Sequence, residues 1–203
     1  MSPEEIQKLY AQMASNYEKR VSQEKDYVAF ERVPKWIVKT LHSMEKPIKV
    51  LDLGCGTGLS SVEFFKSGYH VTGIDITQEM INEAKKLPFE RLLCHSIEGL
   101  LPFDDKEFDV TVLLGVMEFV MHPKVLFREV KRILKSKGLF GLTVPVKLPQ
   151  DVEKKLHIFS YAKRDIETIF NICGFSIIFE EEIPGFISEG ETVKYYAYIL
   201  QPF

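Results

Sequence analysis

Val50-Leu51-Asp52-Leu53-Gly54-Cys55-Gly56-Thr57-Gly58 sets glycines at alternate positions after a short apolar run and before an amphipathic stretch. The run reads as a buried strand, Ile48 to Leu53. Leu59, Val62 and Phe65 recur with helical spacing behind it, and Gly68 suits the helix end. The bend between them lets a ligand approach the backbone more closely than a Cβ permits. A glycine-rich turn of this kind can also be a mere tight connection, so the next strand carries the decision. Tyr69 to Ile74 is that strand, and Asp75 closes it, 21 residues after Gly54 (75 − 54). At that place in a nucleotide-binding βαβ unit a carboxylate accepts hydrogen bonds from both ribose hydroxyls.

Downstream, short β-branched runs continue to alternate with amphipathic stretches, the pattern of βα units around a largely parallel sheet. Thr77 is placed to cap a helix through Met80, Ile81, Ala84 and Leu87. Arg91 to Cys94 and Phe108 to Leu114 read as strands. Pro123 opens a helix with Leu126, Val130, Ile133 and Leu134 inward, ended by a Ser136-Lys137-Gly138 turn before a strand at Leu139 to Val144. Ser160 is expected to cap a helix carrying Ile166, Ile169, Phe170 and Cys173. Strands at 175–180 and 193–200 then follow through a loop and should pair antiparallel.

Upstream, Ser2-Pro3-Glu4-Glu5 forms a capping box for a helix whose apolar face carries Ile6, Leu9, Tyr10, Met13 and Tyr17. A second helix is predicted through Tyr27, Phe30, Trp36, Ile37 and Leu41, kinked or restarted at Pro34.

The totals agree with one core under a small cap. The chain has 203 residues, 45% apolar and 27% charged, outside the composition of disordered chains. Twenty-six Lys and Arg against 29 Asp and Glu give a net charge of −3, which offers no overall positive field for a polyanion. No apolar run is long enough to span a bilayer, and the acidic start is unlike a signal peptide, so a cytoplasmic protein is expected. Cys55, Cys94 and Cys173 are odd in number and far apart, which argues against a disulfide framework or a metal site and for buried small apolar residues.

The glycine spacing narrows the ligand. A dinucleotide GxGxxG would need glycine at 59, where the chain has Leu59, and no GxxxxGK[ST] loop is present for a triphosphate. An adenosyl ligand without phosphates fits better than NAD or ATP.

VLDLGCGTG at 50–58 and GIDIT at 73–77, followed by LPFDDKEFDV at 101–110, LLGVMEF at 113–119 and LKSKGLF at 134–140, resemble class I S-adenosylmethionine-dependent methyltransferases. With YAQMASNY at 10–17 the nearest grouping is the small ubiquinone- and menaquinone-methyltransferase-like set, type 11. The resemblance implies an α/β Rossmann-like three-layer sandwich. Its mostly parallel seven-stranded sheet ends in an antiparallel C-terminal strand pair, under an N-terminal helical lid. It implies one methyltransferase domain: 1–44 as lid, 45–146 as cofactor-binding core, and 147–203 as C-terminal helix and strands forming the acceptor wall. S-adenosylmethionine would be the cofactor and S-adenosylhomocysteine the product. Gly54, Gly56 and Gly58 would pass beneath the methionine part, with Asp52 reaching its amino group. Asp75 would hold the ribose, and Ile76 and Met80 would pack on adenine. Ser96 and Ile97 stand where the family usually carries an adenine-binding aspartate, a departure at His95-Ser96. Leu114 and Gly115 would offer carbonyls to the ammonium group, Tyr17 would approach the sulfonium, and Phe119 stands where many relatives carry histidine.

Methyl transfer from a sulfonium needs alignment above all, and no dedicated base is strictly required. If one helps, the candidates are His157, Tyr161, Tyr17 and Glu118; Tyr17, His157 and Tyr161 are the expected acceptor-contacting residues. His42 and His122 are expected on the surface, and His70 and His95 at strand edges. A small-molecule acceptor is favoured, a protein side chain or terminus comes second, and nucleic acid is disfavoured: no [ND]PP[FY] follows strand four and no Pro-Cys pair is present there. A sensor or scaffold that binds the cofactor without turnover, and an NAD-dependent oxidoreductase, remain the readings from other classes.

Overall fold

The computed structural model describes residues 3–17, 28–41, 47–188 and 191–203. The expected Ser2 cap, Tyr27 and His42 lie outside them. Seven strands form one sheet: β1 (Lys49–Leu53), β2 (His70–Asp75), β3 (Arg91–Cys94), β4 (Phe108–Leu113), β5 (Leu134–Pro145), β6 (Phe175–Ser188) and β7 (Glu191–Pro202). Their spatial order is β3-β2-β1-β4-β5-β7-β6. β1 to β5 run parallel, while β7 lies antiparallel between β5 and β6. The helices are α1 (Pro3–Met13), α2 (Ala29–Leu41), α3 (Val62–Lys66), α4 (Gln78–Ala84), α5 (Pro123–Ile133), α6 (Gln150–Leu156) and α7 (Lys163–Ile172). The expected Rossmann-like architecture is present.

Alternation along each strand sends side chains to two separate cores, which makes the layers. Val50 on β1, Val110 and Val112 on β4, and Tyr195 and Ala197 on β7 meet Val33, Ile37 and Leu41 of α2. Leu51, Leu113, Phe140, Leu142 and Tyr198 point the other way, to Phe127 and Val130 of α5 and Ile166 and Phe170 of α7. Gly141 is what lets α2 lie so close to the sheet: a Cβ there would stand 2.6 Å from Ile37 Cδ1 and 3.0 Å from Val33 Cγ1. Among the described residues no helix is long and apolar enough to cross a membrane.

Several boundaries depart from the sequence reading. α2 continues through Pro34 as one element. The Ser136-Lys137-Gly138 turn is instead part of β5, which leaves α5 directly, pairs Leu134 with Phe108, and shifts register before Val110. The last hairpin is longer than expected at both strands, with bulges that absorb register shifts. Ser160 caps no helix. α7 begins after Ala162, and the Ser160 hydroxyl instead donates to Glu153 at 2.5 Å and accepts from the Leu148 N–H at 2.8 Å. Glu153 belongs to α6, a helix the periodicity missed. Its acidic first turn and basic last turn, Asp151 and Glu153 against Lys154 and Lys155, suit the helix dipole.

The strand order places β1 at the point where the chain reverses direction across the sheet. β2 and β3 lie to one side of it and β4 and β5 to the other. Ligands in open α/β sheets bind outside the carboxyl ends of the strands at such a point.

Candidate functional site

A cleft with about 1040 Å³ of empty space, open mouth included, lies over the carboxyl ends of β1, β2 and β4. Its floor is the glycine bend. The Gly54 and Cys55 N–H groups both donate to the Ile74 carbonyl, at 2.8 and 3.0 Å, folding the bend back over the end of β2. The Gly56 N–H donates to Asp75 Oδ2 at 2.9 Å, and the Thr77 N–H to Asp75 Oδ1 at 2.8 Å. One buried carboxylate therefore locks the bend and the entry to α4, and it also lines the cleft. Burial raises its pKa, opposed by the N–H groups of Thr77 and Gly56. Carboxylate oxygens accept more than one bond each, so a diol can add to these contacts.

The concave side of the bend is open to the cleft: a Cβ on Gly56 would meet no described residue beyond its chain neighbours within 4 Å. Beside it, the Thr57 hydroxyl is buried without a partner among the described residues, and Thr57 lines the cleft. Open space against backbone, an unpaired hydroxyl and a carboxylate at ribose distance along the chain together fit a nucleoside ligand.

Of the residues singled out from sequence, Tyr17, Gly54, Gly56, Asp75, Ile76, Met80, Ser96, Ile97, Leu114 and Gly115 all line this one cleft. Asp52 and Gly58 do not. Asp52 is turned toward the short helical turn after the bend, where its Oδ2 accepts from Ser60 Oγ at 2.5 Å and Ser61 Oγ at 2.6 Å. Its Oδ1 is buried without a partner among the described residues. Burial pushes this carboxyl up to about 6, against the pull of the two serine hydroxyls. Gly58 faces protein rather than cleft; a Cβ there would lie 2.7 Å from Leu87 and 2.9 Å from Phe89.

The expected acceptor residues separate likewise. His157 is exposed at the left-handed end of α6, φ 55°, and Tyr161 sits behind the wall with its hydroxyl 3.4 Å from the Val120 carbonyl. Neither lines the cleft. Burial pushes the Tyr161 phenol up to about 12, with the Glu118 carboxyl adding to the rise. Glu118 is buried and also outside the lining; its Oε1 accepts from the Tyr195 hydroxyl at 2.5 Å. Cys94 is exposed, contrary to expectation, while Cys55 and Cys173 are buried and all three are free thiols. Among the described residues no group of three or more His, Cys, Asp or Glu is placed to hold a metal.

Sequence reasoning missed part of the wall. Ile6 and Tyr10 of α1 and Phe30 of α2 line the cleft, and Gln7 Nε2 donates to the Ile76 carbonyl at 3.0 Å, so α1 crosses the site. Tyr10 meets the Phe119 ring edge-on, centroids 5.8 Å apart at 80°. Glu98 also lines the cleft, and its Oε1 accepts from the Met121 N–H at 2.6 Å, joining the segments that follow β3 and β4. Helical spacing pointed at Ile6, Tyr10 and Phe30; nothing local marks Glu98.

Burial drives the Glu118 carboxyl up to about 7, with the Tyr195 hydroxyl opposing. A folded value above the ordinary one means its contribution to stability is full below about 4.5 and is lost as pH rises through about 7. Glu118→Gln has no proton to lose. Its stability relative to the unmodified chain should therefore grow between pH 5 and pH 8 by on the order of 2 kcal/mol. Denaturant melts at several pH values check this, and a difference that stays constant with pH refutes it.

Comparison with known proteins adds the following. Residues 51–142 match a family model described as a methyltransferase domain. An mRNA cap guanine-N(7) methyltransferase of Schizosaccharomyces pombe is 31% identical over 141 residues, covering 58% of this chain and 39% of the relative. A ubiquinone biosynthesis O-methyltransferase of Maricaulis maris is 35% identical over 105 residues, covering 48% and 41%. The chain thus spans less than half the length of these two curated relatives. Burkholderia thailandensis 1,6-didemethyltoxoflavin-N1-methyltransferase, solved with bound 1,6-didemethyltoxoflavin and S-adenosylhomocysteine, superposes with a TM-score of 0.72 at 15% identity over 100% of this chain and 91% of that one. That last likeness is one of fold.

Proposed function

We propose that this chain, built on the fold and core motif of the class I S-adenosylmethionine-dependent methyltransferases, moves a methyl group from that cofactor to a small-molecule acceptor. The observation that carries the reading is Asp75: buried at the end of β2, bonded to the Gly56 N–H, and lining the cleft beside the bend. Its carboxylate grips the ribose. Gly54 and Gly56 leave room for the methionine part, and Ile76, Met80, Ser96 and Ile97 enclose adenine. Leu114 and Gly115 line the passage toward the acceptor. Asp52 and Gly58 act from behind the bend, fixing its shape.

The cofactor supplies a methyl carbon already made electrophilic by a sulfonium. The chain's own part is to hold, align and exclude water. Tyr17 and Tyr10 line the cleft, and an aromatic face favours a nearby cation by roughly 0.5 to 2 kcal/mol. α1 covers the cleft through Gln7 and Tyr10, which suits an acceptor small enough to be enclosed. Orientation of two reactants in such an enclosure is worth up to about 7 to 11 kcal/mol of barrier.

Calorimetry with S-adenosylhomocysteine and with NAD tests the binding half. S-adenosylhomocysteine should bind and NAD should not; tighter NAD binding would replace this reading with an oxidoreductase. Incubation with labelled S-adenosylmethionine and a metabolite extract tests turnover. Label appearing in a small molecule is the expected result, label on protein would move the acceptor class, and binding without any transfer would leave a sensor.

A further inference from the structure

Glu118 is the one acidic residue in a run whose neighbours Val116, Phe119, Val120 and Met121 all face the cleft, yet its own side chain is buried away from it. It belongs to the short helical turn Met117–Phe119 that follows β4. Its Oε1 takes the Tyr195 hydroxyl of β7 at 2.5 Å, and its main-chain carbonyl takes the Phe159 N–H at 2.8 Å. Its Oε2 is buried with no hydrogen-bond partner among the described residues. On the opposite flank Glu98 holds the Met121 N–H. The segment is therefore clamped from two sides, and between the clamps stands Phe119, edge-on to Tyr10 of the covering helix.

We propose that Glu118 is a positioning residue for the cleft: anchored on Tyr195, it fixes the rotation of the Met117–Phe119 turn so that Phe119 seats Tyr10 and α1 closes over the ligand. The inference rests on the proposed function only in taking this cleft as the cofactor's.

A buried carboxyl with an unpaired oxygen is a costly way to fill space. An apolar residue of similar volume is often neutral or stabilising in such a place. What the carboxyl adds is direction. A hydrogen bond to a fixed hydroxyl selects one orientation of a turn that apolar packing alone leaves free to rotate. Tyr195 is itself fully buried on β7, a strand paired on both sides by β5 and β6, so the anchor does not move with the cleft wall.

Calorimetric binding of S-adenosylhomocysteine to Glu118→Leu, Glu118→Gln and Phe119→Ala, singly and combined, tests this. Glu118→Leu should weaken binding about tenfold, Glu118→Gln, which still accepts from Tyr195, by less than about threefold, and Glu118→Leu should add less than about twofold once Phe119 is alanine. Undiminished affinity in Glu118→Leu overturns the proposal, and so does a loss that is the same whether or not Phe119 is present, since that is the signature of a strut for the fold. Should Glu118→Leu fail to fold, Tyr195→Phe removes the same anchor and carries the same expectations. If the unmodified chain binds no S-adenosylhomocysteine, the functional reading falls on its own, and amide hydrogen exchange of the ligand-free protein still decides the inference. Faster exchange in α1 and in 116–121 of the variant, with β1 and β2 unchanged, supports it; unchanged exchange in those segments overturns it.

Discussion

Replacing Gly56 with valine is expected to weaken S-adenosylhomocysteine binding about a thousandfold or more, roughly 4 kcal/mol, while the chain still folds. Gly56 has φ +52°, lines the cleft, and its Cβ direction meets no described residue beyond its chain neighbours within 4 Å. A Cβ there therefore enters the space proposed for the ligand rather than packed protein. The left-handed backbone adds about 1 to 2 kcal/mol of local strain for a residue with a Cβ, which lowers the melting temperature without removing the core. Its two neighbours in the motif do not offer so clean a test. A Cβ on Gly54 would stand 2.6 Å from Val116 Cγ2, and one on Gly58 would stand 2.7 Å from Leu87, so packing would suffer together with binding. Calorimetry beside a thermal melt reads both effects. Affinity retained within about tenfold would mean that the ligand lies elsewhere.

How much of this could be read from the chain depends on how local the cause is. The alternating strands and helices of the parallel half followed from repeated local patterns, each of which needs only a window of a dozen residues, whereas the spatial order of the strands did not. The glycine bend and Asp75 announced a shared cleft because backbone geometry at those positions admits few alternatives. Ser160 misled for the opposite reason. A serine before an amphipathic run has the composition of a cap, but its hydroxyl was claimed by Glu153 of α6, a helix too short for periodicity to reveal. Asp52 shows the same limit. Its place in the motif suggested an outward reach, whereas Ser60 and Ser61, a turn later, draw its carboxylate inward. His157 and Tyr161 fell outside the cleft because the link they occupy folds behind Val120, a long-range arrangement that no spacing encodes. The role argued for Glu118 is of this kind too, since its partner Tyr195 lies 77 residues away.

Asp75→Ala should weaken S-adenosylhomocysteine binding by about 1.5 to 3 kcal/mol, the usual worth of hydrogen bonds to a charged group. The same change also touches the fold, because the Gly56 and Thr77 N–H groups both lose their acceptor. Each donor left unpaired out of water costs about 1 to 3 kcal/mol, whereas removal of a buried carboxylate returns part of its desolvation. A drop in affinity alone therefore cannot distinguish a lost ribose contact from a loosened bend. The ligand can be varied in place of the protein. S-adenosylhomocysteine lacking the ribose 2′-hydroxyl should bind the unmodified chain more weakly than the natural product does, and should bind Asp75→Ala as well as the natural product does. If the bend alone were responsible, both ligands would weaken in parallel and the 2′-hydroxyl would matter equally in the two proteins. That parallel loss would remove Asp75 from the ribose and, with it, the contact on which the nucleoside reading of the cleft depends.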